Sequence, residues 1–230
     1  METSSLNATT LVFDLDGTLV DTAPDLIRTL NHIMDMAGCA PQPVEDMLPF
    51  ISFGARRMIV EGLAAAQSPC KDDEVDRLLG IFLEHYAENV AVESQPFPGV
   101  IGILESARSA GAKLAVCTNK REDLSNKLLA ELDMNRLFHA VAGRDTFPVC
   151  KPDPAHLTGA VRMAGGTDRR IVMVGDSATD VNTAKAAGVP SIAVSFGYTD
   201  IPAHELGADA VIDDYAAFPH ALEGLLAQQV

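Results

Sequence analysis

The chain has 230 residues, of which 32 are acidic and 17 are lysine or arginine, so its formal charge is −15. This length allows one large domain with an insertion and a substantial buried core. A protein this acidic is poorly suited to bind the phosphates of a nucleic acid, so we expect no nucleic-acid partner. Because no apolar run approaches the roughly 20 residues of a membrane span, we expect no membrane partner.

The cysteines and the amino-terminal segment bear on the cellular compartment. The four cysteines are scattered without Cys-x-x-Cys spacing, which argues against a zinc site or a disulfide framework and fits a reducing compartment. They are Cys39, Cys70, Cys117 and Cys150. The opening residues 1–5 are polar and acidic, unlike a secretory signal. We therefore predict a cytoplasmic protein.

The first predicted element is a strand that ends in two aspartates. Residues 11–18 read Leu-Val-Phe-Asp-Leu-Asp-Gly-Thr, and the apolar half predicts a strand buried on both faces of a parallel sheet. Asp14 and Asp16 then lie at the carboxyl end of that strand, where such sheets bind ligands. Gly17 permits the chain to bend away. Taken alone, this motif also fits an ordinary solvated turn.

Helical patterns follow with no strand between them. Pro24 and Asp25 suit a first helical turn, and an apolar stripe at helical spacing continues to a stop at Gly38. Further helices are predicted at about 54–66 and 72–89. The patterns indicate that residues 20–95 form an all-helical module.

From residue 96 onward the pattern changes. Pro-Phe-Pro-Gly at 96–99 marks a boundary, and helices and strands then alternate. Helices are predicted near 100–111, 124–132, 155–164 and 179–187, and strands near 114–117, 139–142, 171–174, 192–194 and 211–212. This alternation predicts an α/β fold with a doubly wound parallel sheet. Residues 1–19 and 96–230 would form the catalytic core, and 20–95 a helical cap domain.

Three later segments with polar residues follow the first motif in order along the chain. They read Val-Cys-Thr-Asn at 116–119, Lys-Pro-Asp-Pro at 151–154 and Val-Gly-Asp-Ser-Ala-Thr-Asp at 174–180. With all four segments, the sequence resembles the haloacid dehalogenase superfamily of phosphohydrolases over nearly its whole length. The resemblance implies a Rossmann-like core of that superfamily and a phosphatase reaction.

The resemblance implies that Asp14 attacks phosphorus and forms an aspartyl-phosphate. A carboxylate and a phosphate repel each other, so a cation is needed, and the hard, oxygen-seeking Mg²⁺ is the expected cofactor. Its implied ligands are Asp14, Asp176 and the backbone carbonyl of Asp16. Asp180 would lie behind the metal and orient waters or Lys151, and Thr18 would contact phosphate or a metal-bound water. Aspartate is also common at helix starts, the ordinary alternative for residues 176 and 180.

Further residues are predicted to take part in phosphoryl transfer. Asp16 is the predicted general acid and base, which protonates the leaving alkoxide and then activates water. Dehalogenating relatives lack an acid at this position, so an aspartate here favours phosphate esters. Lys151, kept extended by Pro152, is predicted to neutralise the transferring phosphoryl group. Thr118 and Asn119 end a strand and are predicted to bind phosphoryl oxygens.

The choice of substrate is assigned to the helical module, which would close over the site and exclude water. Residues 50–57 read Phe-Ile-Ser-Phe-Gly-Ala-Arg-Arg and are expected to face the core. Arg57 precedes Glu61 by four positions, which predicts a surface ion pair. Arg56 is predicted to lie nearer the buried stripe and to bind a substrate carboxylate or hydroxyl, with plain helix surface as the alternative.

The resemblance is strongest to the phosphoglycolate phosphatase branch of the superfamily. It rests on residues 13–26, 196–198 and 208–212, and it implies a small phosphorylated metabolite as the partner, acted on by a monomer or homodimer. The same branch includes phosphatases of amino-sugar phosphates and of pyrophosphate. Two other interpretations remain. One is a sugar phosphomutase, although such relatives tend to carry lysine and histidine in the helical module and residues 50–66 hold neither. The other is a phospho-aspartate receiver module, although receivers are about half this length and lack the second acid.

Overall fold

The computed structural model describes residues 6–228, so the polar segment 1–5 discussed above lies outside the described residues. In chain order, the strands within this range are β1 (Thr10–Phe13), β2 (Val20–Asp21), β3 (Gln95–Pro96), β4 (Lys113–Cys117), β5 (Ala140–Ala142), β6 (Ile171–Gly175), β7 (Ser191–Val194) and β8 (Ala210–Ile212). The helices are α1 (Ala23–Met36), α2 (Val44–Ile51), α3 (Ala55–Ala65), α4 (Asp72–Glu88), α5 (Val100–Ser109), α6 (Glu122–Glu131), α7 (Pro154–Met163), α8 (Ala178–Ala187) and α9 (Phe218–Ala227).

Six of the strands form one parallel sheet in the order β5-β4-β1-β6-β7-β8. The central strand β1 is buried along its whole length, because it pairs with β4 on one side and β6 on the other. Its apolar side chains point alternately to the two faces, and both faces are covered by helices. Leu11 and Phe13 pack in a cluster with α5, α6 and α9, whereas Val12 packs with α7 and α8. The predicted doubly wound α/β fold is confirmed.

Helices α1 to α4 form a separate group that packs mainly on itself. The sequence predicted α1, α3 and α4 but missed α2, because Pro41, Pro43 and Pro49 interrupt the helical pattern there. The terminal helix α9 was also not predicted. None of the described helices is both long and apolar enough to cross a membrane.

The chain enters and leaves this helical group through two neighbouring short strands. Strands β2 and β3 pair antiparallel, with Val20 opposite Pro96 and Asp21 opposite Gln95. The predicted boundaries near residues 20 and 95 therefore coincide with this short ladder. That residues 20–95 behave as a separate cap domain stays a prediction.

A buried carboxylate ties the first turn of α1 to the segment before β3. Asp25, with no solvent-exposed surface, accepts hydrogen bonds from the backbone N–H of Glu93 (3.0 Å) and Ser94 (2.9 Å) and from the Ser94 hydroxyl (2.7 Å). Arg28, one turn along the helix, approaches the same carboxylate at 2.8 Å. The two backbone N–H groups lose their acceptor if the carboxylate is removed, whereas Arg28 keeps a hydrogen bond to the carbonyl oxygen of Asn89 at 3.2 Å.

We expect Asp25→Ala to lower the free energy of unfolding by about 3 kcal/mol, because it leaves the backbone donors of Glu93 and Ser94 without an acceptor and removes the carboxylate nearest to Arg28. Urea unfolding measures this loss. Asp35→Ala, on the exposed side of the same helix, is the control and should change stability by less than about 0.5 kcal/mol. Similar small losses in both variants would contradict a structural role for Asp25.

Candidate active site

The polar residues predicted from four separate segments meet at the carboxyl-terminal edge of the sheet. Asp14 follows β1, Thr118 follows β4 and Asp176 follows β6, and these three strands are adjacent in the sheet. Because adjacent parallel strands end at the same edge, their terminal side chains converge. The backbone N–H of Asp14 donates to the carbonyl oxygen of Val174 at 2.9 Å, which continues the ladder to the site itself.

Lys151 lies between two of the carboxylates. Its Nζ is 2.9 Å from Oδ1 of Asp14 and 2.6 Å from Oδ1 of Asp180, and its side chain is only 1% exposed. The other oxygen of Asp180 accepts from the backbone and hydroxyl of Ser177, which caps helix α8. Burial acts to lower the pKa of Lys151, but the two carboxylates outweigh it and raise that pKa above its usual value. The ammonium is therefore fixed in its charged form.

Asp176 is held by donors from two other parts of the chain. Its carboxylate accepts from the Thr18 hydroxyl at 3.1 Å and from the backbone N–H of Tyr198 at 2.7 Å. Gly17 and Gly197 pack so closely on this carboxylate that a Cβ on either would overlap it. The predicted contact of Thr18 with phosphate or a metal-bound water stays a prediction, since here its hydroxyl donates to Asp176.

The acidic cluster fits a divalent cation. Oxygens of Asp14, Asp176 and Asp180 lie within 4.8 Å of one another, and carboxylate oxygens are the donors that Mg²⁺ prefers. Burial, only partly offset by Lys151, raises the pKa of Asp14 to about 6. Burial together with the Asp180 and Asp14 carboxylates raises the pKa of Asp176 to about 8. Three carboxylates facing one ammonium leave an excess of negative charge that a bound cation would neutralise.

Asp16 is held by partners that lie outside this cluster. Its carboxylate accepts from the Thr22 hydroxyl at 2.8 Å and from Lys120 Nζ at 3.0 Å. Lys120 also donates to the Tyr86 hydroxyl at 2.7 Å and is only 5% exposed. The sequence analysis assigned no role to Lys120. Its place directly after a predicted phosphate-binding pair was the signal that could have identified it.

The loops after β4 and before α7 support each other through hydrogen bonds. The side-chain amide of Asn119 donates to the carbonyl oxygen of Lys151 at 3.0 Å, and the Thr118 hydroxyl accepts from the backbone N–H of Lys120 at 3.2 Å. The hydrogen of the Thr118 hydroxyl is thus left to donate to a ligand, whereas one amide hydrogen of Asn119 is already used. The phosphate contacts of both residues stay predictions.

His156 is a further residue that the sequence analysis missed. It is fully buried; its Nδ1 accepts from the backbone N–H of Lys151 at 3.1 Å, and its Nε2 lies 3.0 Å from the carbonyl oxygen of Gly143. Burial and the positive charge of Lys151 lower the pKa of His156 to about 4, so its ring is neutral near pH 7. These contacts assign the hydrogen to Nε2 and make His156 a support for the Lys151 backbone.

A cavity of about 410 Å³ lies between the helical group and this edge of the sheet. Asp14, Asp16 and Thr118 line its polar side, and side chains of α1, α3 and α4 line its apolar side. Segment 51–56 also lines the cavity, consistent with the expectation that it faces the core.

Arg56 lines the same cavity, but its guanidinium is already engaged. It approaches Asp72 at 2.9 Å and Asp76 at 3.1 Å, and its side chain is 46% exposed. The predicted surface pair of Arg57 with Glu61 is confirmed at 2.6 Å, with Arg57 only slightly more exposed at 55%. Substrate binding by Arg56 stays a prediction.

Comparison with known proteins agrees with this geometry. Residues 11–194 match the family model of haloacid dehalogenase-like hydrolases. The phosphoglycolate phosphatase of Agrobacterium fabrum is 46% identical over 92% of this chain and 91% of its own length, and that of Mesorhizobium japonicum is 48% identical over 90% and 91%. A crystal structure of a predicted phosphoglycolate phosphatase from Haemophilus somnus superposes with a TM-score of 0.86 at 28% identity, covering 94% of this chain and 98% of the other.

The chain therefore belongs to the haloacid dehalogenase-like hydrolases. Within that family it is similar to the proteins named phosphoglycolate phosphatase, as the sequence resemblance predicted.

We expect Gly17→Ala to lower the free energy of unfolding by about 3 kcal/mol. Backbone strain at φ +78° accounts for roughly 1–2 kcal/mol, and overlap of the new Cβ with Asp176 and Tyr198 accounts for the rest. Gly188→Ala is the matched control, because Gly188 has φ +69° but open space around it. Its loss should be only about 1 kcal/mol in the same urea titration. Equal losses would show that crowding at Asp176 is unimportant.

Proposed function

We propose that this chain is a Mg²⁺-dependent phosphatase that hydrolyses phosphoglycolate, or a closely similar small phosphate monoester, through an aspartyl-phosphate on Asp14. The observation that supports it best is the position of Asp14. Its carboxylate is 2.9 Å from the buried Lys151 ammonium, shares a cluster with Asp176 and Asp180, and lines a cavity of metabolite size. The relatives named phosphoglycolate phosphatase support the choice of substrate.

Asp14 is suited to act as the nucleophile because its surroundings hold it still. Oδ1 accepts from the backbone N–H of Leu15 at 2.7 Å as well as from Lys151, so the carboxylate has a fixed orientation towards the cavity. Attack on phosphorus forms the Asp14–phosphate bond and breaks the ester bond to the leaving oxygen. Lys151 stabilises the negative charge on the transferring group.

Asp14, Asp176 and the backbone carbonyl of Asp16 are the residues that would hold Mg²⁺. The ion, when bound, polarises the phosphoryl oxygens and screens them from the carboxylates. Asp180 contributes by orienting Lys151, to which it lies 2.6 Å away. Thr118, which lines the same cavity, offers a hydroxyl to a phosphoryl oxygen.

Asp16 acts on the leaving-group side of the phosphate. It donates a proton to the leaving alkoxide and then takes a proton from the water that cleaves the Asp14–phosphate bond. Thr22 and Lys120 hold its carboxylate in place, so that Asp16 can serve the leaving oxygen while Asp14 attacks phosphorus.

Residues 20–95 serve as the cap over this site. Their apolar side chains from α1, α3 and α4 line the cavity and exclude bulk water, which strengthens the electrostatic interactions around the phosphoryl group. Tyr86 on α4 contacts Lys120 directly, so the cap reaches the group that orients Asp16.

The proposal is tested by phosphate release from phosphoglycolate, glucosamine 6-phosphate, pyrophosphate and 2-hydroxyethyl phosphate, compared by kcat/KM. We expect phosphoglycolate to give the highest value. Removal of divalent ions with a chelator should abolish release, Mg²⁺ should restore it, and Ca²⁺ should restore it poorly because of its looser geometry. Asp14→Asn should be inactive in every assay.

Three results would contradict this proposal. Full activity in excess chelator would exclude the metal, and activity in Asp14→Asn would exclude the nucleophile. A higher kcat/KM for another member of the panel would exclude phosphoglycolate as the substrate while leaving the phosphatase chemistry intact.

We expect Asp16→Asn to lower kcat by roughly 10²- to 10⁴-fold, because an amide cannot deliver a proton to the leaving alkoxide. Steady-state phosphate release measures the change. Mg²⁺ binding followed by calorimetry should be nearly unaltered, since the implied metal contact of this residue is its backbone carbonyl. An unchanged rate would remove Asp16 from its proposed role.

A further inference from the structure

We infer that Arg144 is the residue that recognises a carboxylate on the leaving group of the substrate. Arg144 lines the cavity and is exposed to it from the loop that follows β5. This inference rests on the proposed function and deepens it, because it names what distinguishes a phosphorylated acid from other phosphate monoesters. The sequence analysis assigned this task to Arg56.

Four cationic side chains line this cavity within the described residues: Arg56, Lys120, Arg121 and Arg144. Three of them already have carboxylate partners. Arg56 pairs with Asp72 and Asp76, Lys120 pairs with Asp16, and Arg121 pairs with Asp123.

The guanidinium of Arg144 differs from the other three. No carboxylate of the described residues lies within ion-pair distance of it, although Asp145 is its neighbour in the chain. A guanidinium without a partner can take up a ligand carboxylate without first breaking an ion pair, and its planar donors match a carboxylate in bidentate geometry. Arg144 is therefore the cation best suited to receive a second negative group of the substrate.

The backbone that carries Arg144 is fixed by hydrogen bonds. The N–H of Gly143 donates to the Thr146 hydroxyl at 2.8 Å, and the N–H of Thr146 donates back to the Gly143 carbonyl oxygen at 3.1 Å. Asp145 accepts from the backbone N–H of Glu122 at 2.8 Å, which anchors the loop to the start of α6. Because the backbone of this loop is already fixed, binding through the Arg144 side chain requires little further ordering of the main chain.

The loop also places Arg144 on the leaving-group side of the site. The backbone N–H of Arg144 donates to the carbonyl oxygen of Lys120 at 2.9 Å, and the Lys120 side chain binds Asp16 at 3.0 Å. Asp16 is the proposed proton donor to the leaving oxygen, and Lys120 supports Asp16. Arg144, which is hydrogen-bonded to Lys120, therefore lies on the side of the site that receives the organic half of the ester. In phosphoglycolate, the carboxylate is separated from the leaving oxygen by a single carbon.

The test compares phosphoglycolate with 2-hydroxyethyl phosphate, which has the same number of carbons but a hydroxymethyl group in place of the carboxylate. The measured quantity is the ratio of kcat/KM for the two substrates. Arg144→Gln should lower this ratio about 10- to 100-fold, the factor expected for a lost charge-assisted hydrogen bond, and mainly through KM. Its kcat/KM for 2-hydroxyethyl phosphate should fall far less than that for phosphoglycolate, and Arg144→Lys should recover part of the ratio.

Two control variants separate recognition from net charge. Arg162→Gln removes one positive charge from an exposed position that does not line the cavity and should leave the ratio unchanged. Arg121→Gln removes a charge from the cavity itself and should change the ratio much less than Arg144→Gln does. Equal losses in the Arg121 and Arg144 variants would overturn the inference, because the preference would then reflect general positive potential.

The wild-type ratio separates this inference from the proposed function. A wild-type enzyme that prefers phosphoglycolate, together with an Arg144→Gln variant that keeps the preference, overturns the role of Arg144 and leaves the proposed substrate standing. A wild-type ratio near one overturns both the proposed substrate and the recognition by Arg144.

Discussion

A single buried ammonium group, that of Lys151, holds the polar edge of the sheet together. It lies within 3 Å of both Asp14 and Asp180, and the second oxygen of Asp180 caps α8. Removing one partner of a buried ion pair typically costs about 3–5 kcal/mol, because the remaining charge has no compensation. The backbone of Lys151 is held in turn by His156 and Asn119. The position of this one charge is thus determined from both its side chain and its main chain.

The same arrangement leaves the site negatively charged, and this has a cost for stability. Asp14, Asp176 and Asp180 crowd together, and Lys151 pairs with two of them. Burial, together with repulsion between the carboxylates, raises the pKa of Asp14 and of Asp176. A protein selected for stability alone would replace such a cluster by apolar side chains. The proposed function accounts for the cluster, because a bound cation would offset the carboxylates and so allow a phosphate to approach Asp14.

Sequence patterns predicted the elements whose signals are local. The strands of the sheet end in the motifs that contain Asp14, Thr118 and Asp176, and the rule that parallel strands share an edge was enough to bring these residues together. Helix α2 was not predicted, because the prolines before it and Pro49 inside it interrupt the helical periodicity of the apolar residues. A local pattern therefore identifies buried parallel strands better than short helices rich in proline.

The contacts that the sequence could not reveal join distant parts of the chain. Lys120 meets Asp16 across 104 positions, and the pairing of Arg56 with Asp72 and Asp76 depends on how α3 packs on α4. A lysine after an asparagine or an arginine on a helix looks the same whether it is solvated or paired. Only the fold decides which cation in the cavity has a partner and which does not.

The short β2–β3 ladder has a consequence for how the molecule is put together. Because the chain departs and returns through adjacent residues, four helices are attached to the sheet at one point, and the order and register of the six parallel strands do not depend on their length. A shorter or longer excursion could be joined at the same ladder without moving Asp14 relative to Asp176. The architecture keeps Asp14 and Asp176 on the sheet, whereas most of the apolar wall of the cavity comes from a separately variable stretch of the polypeptide.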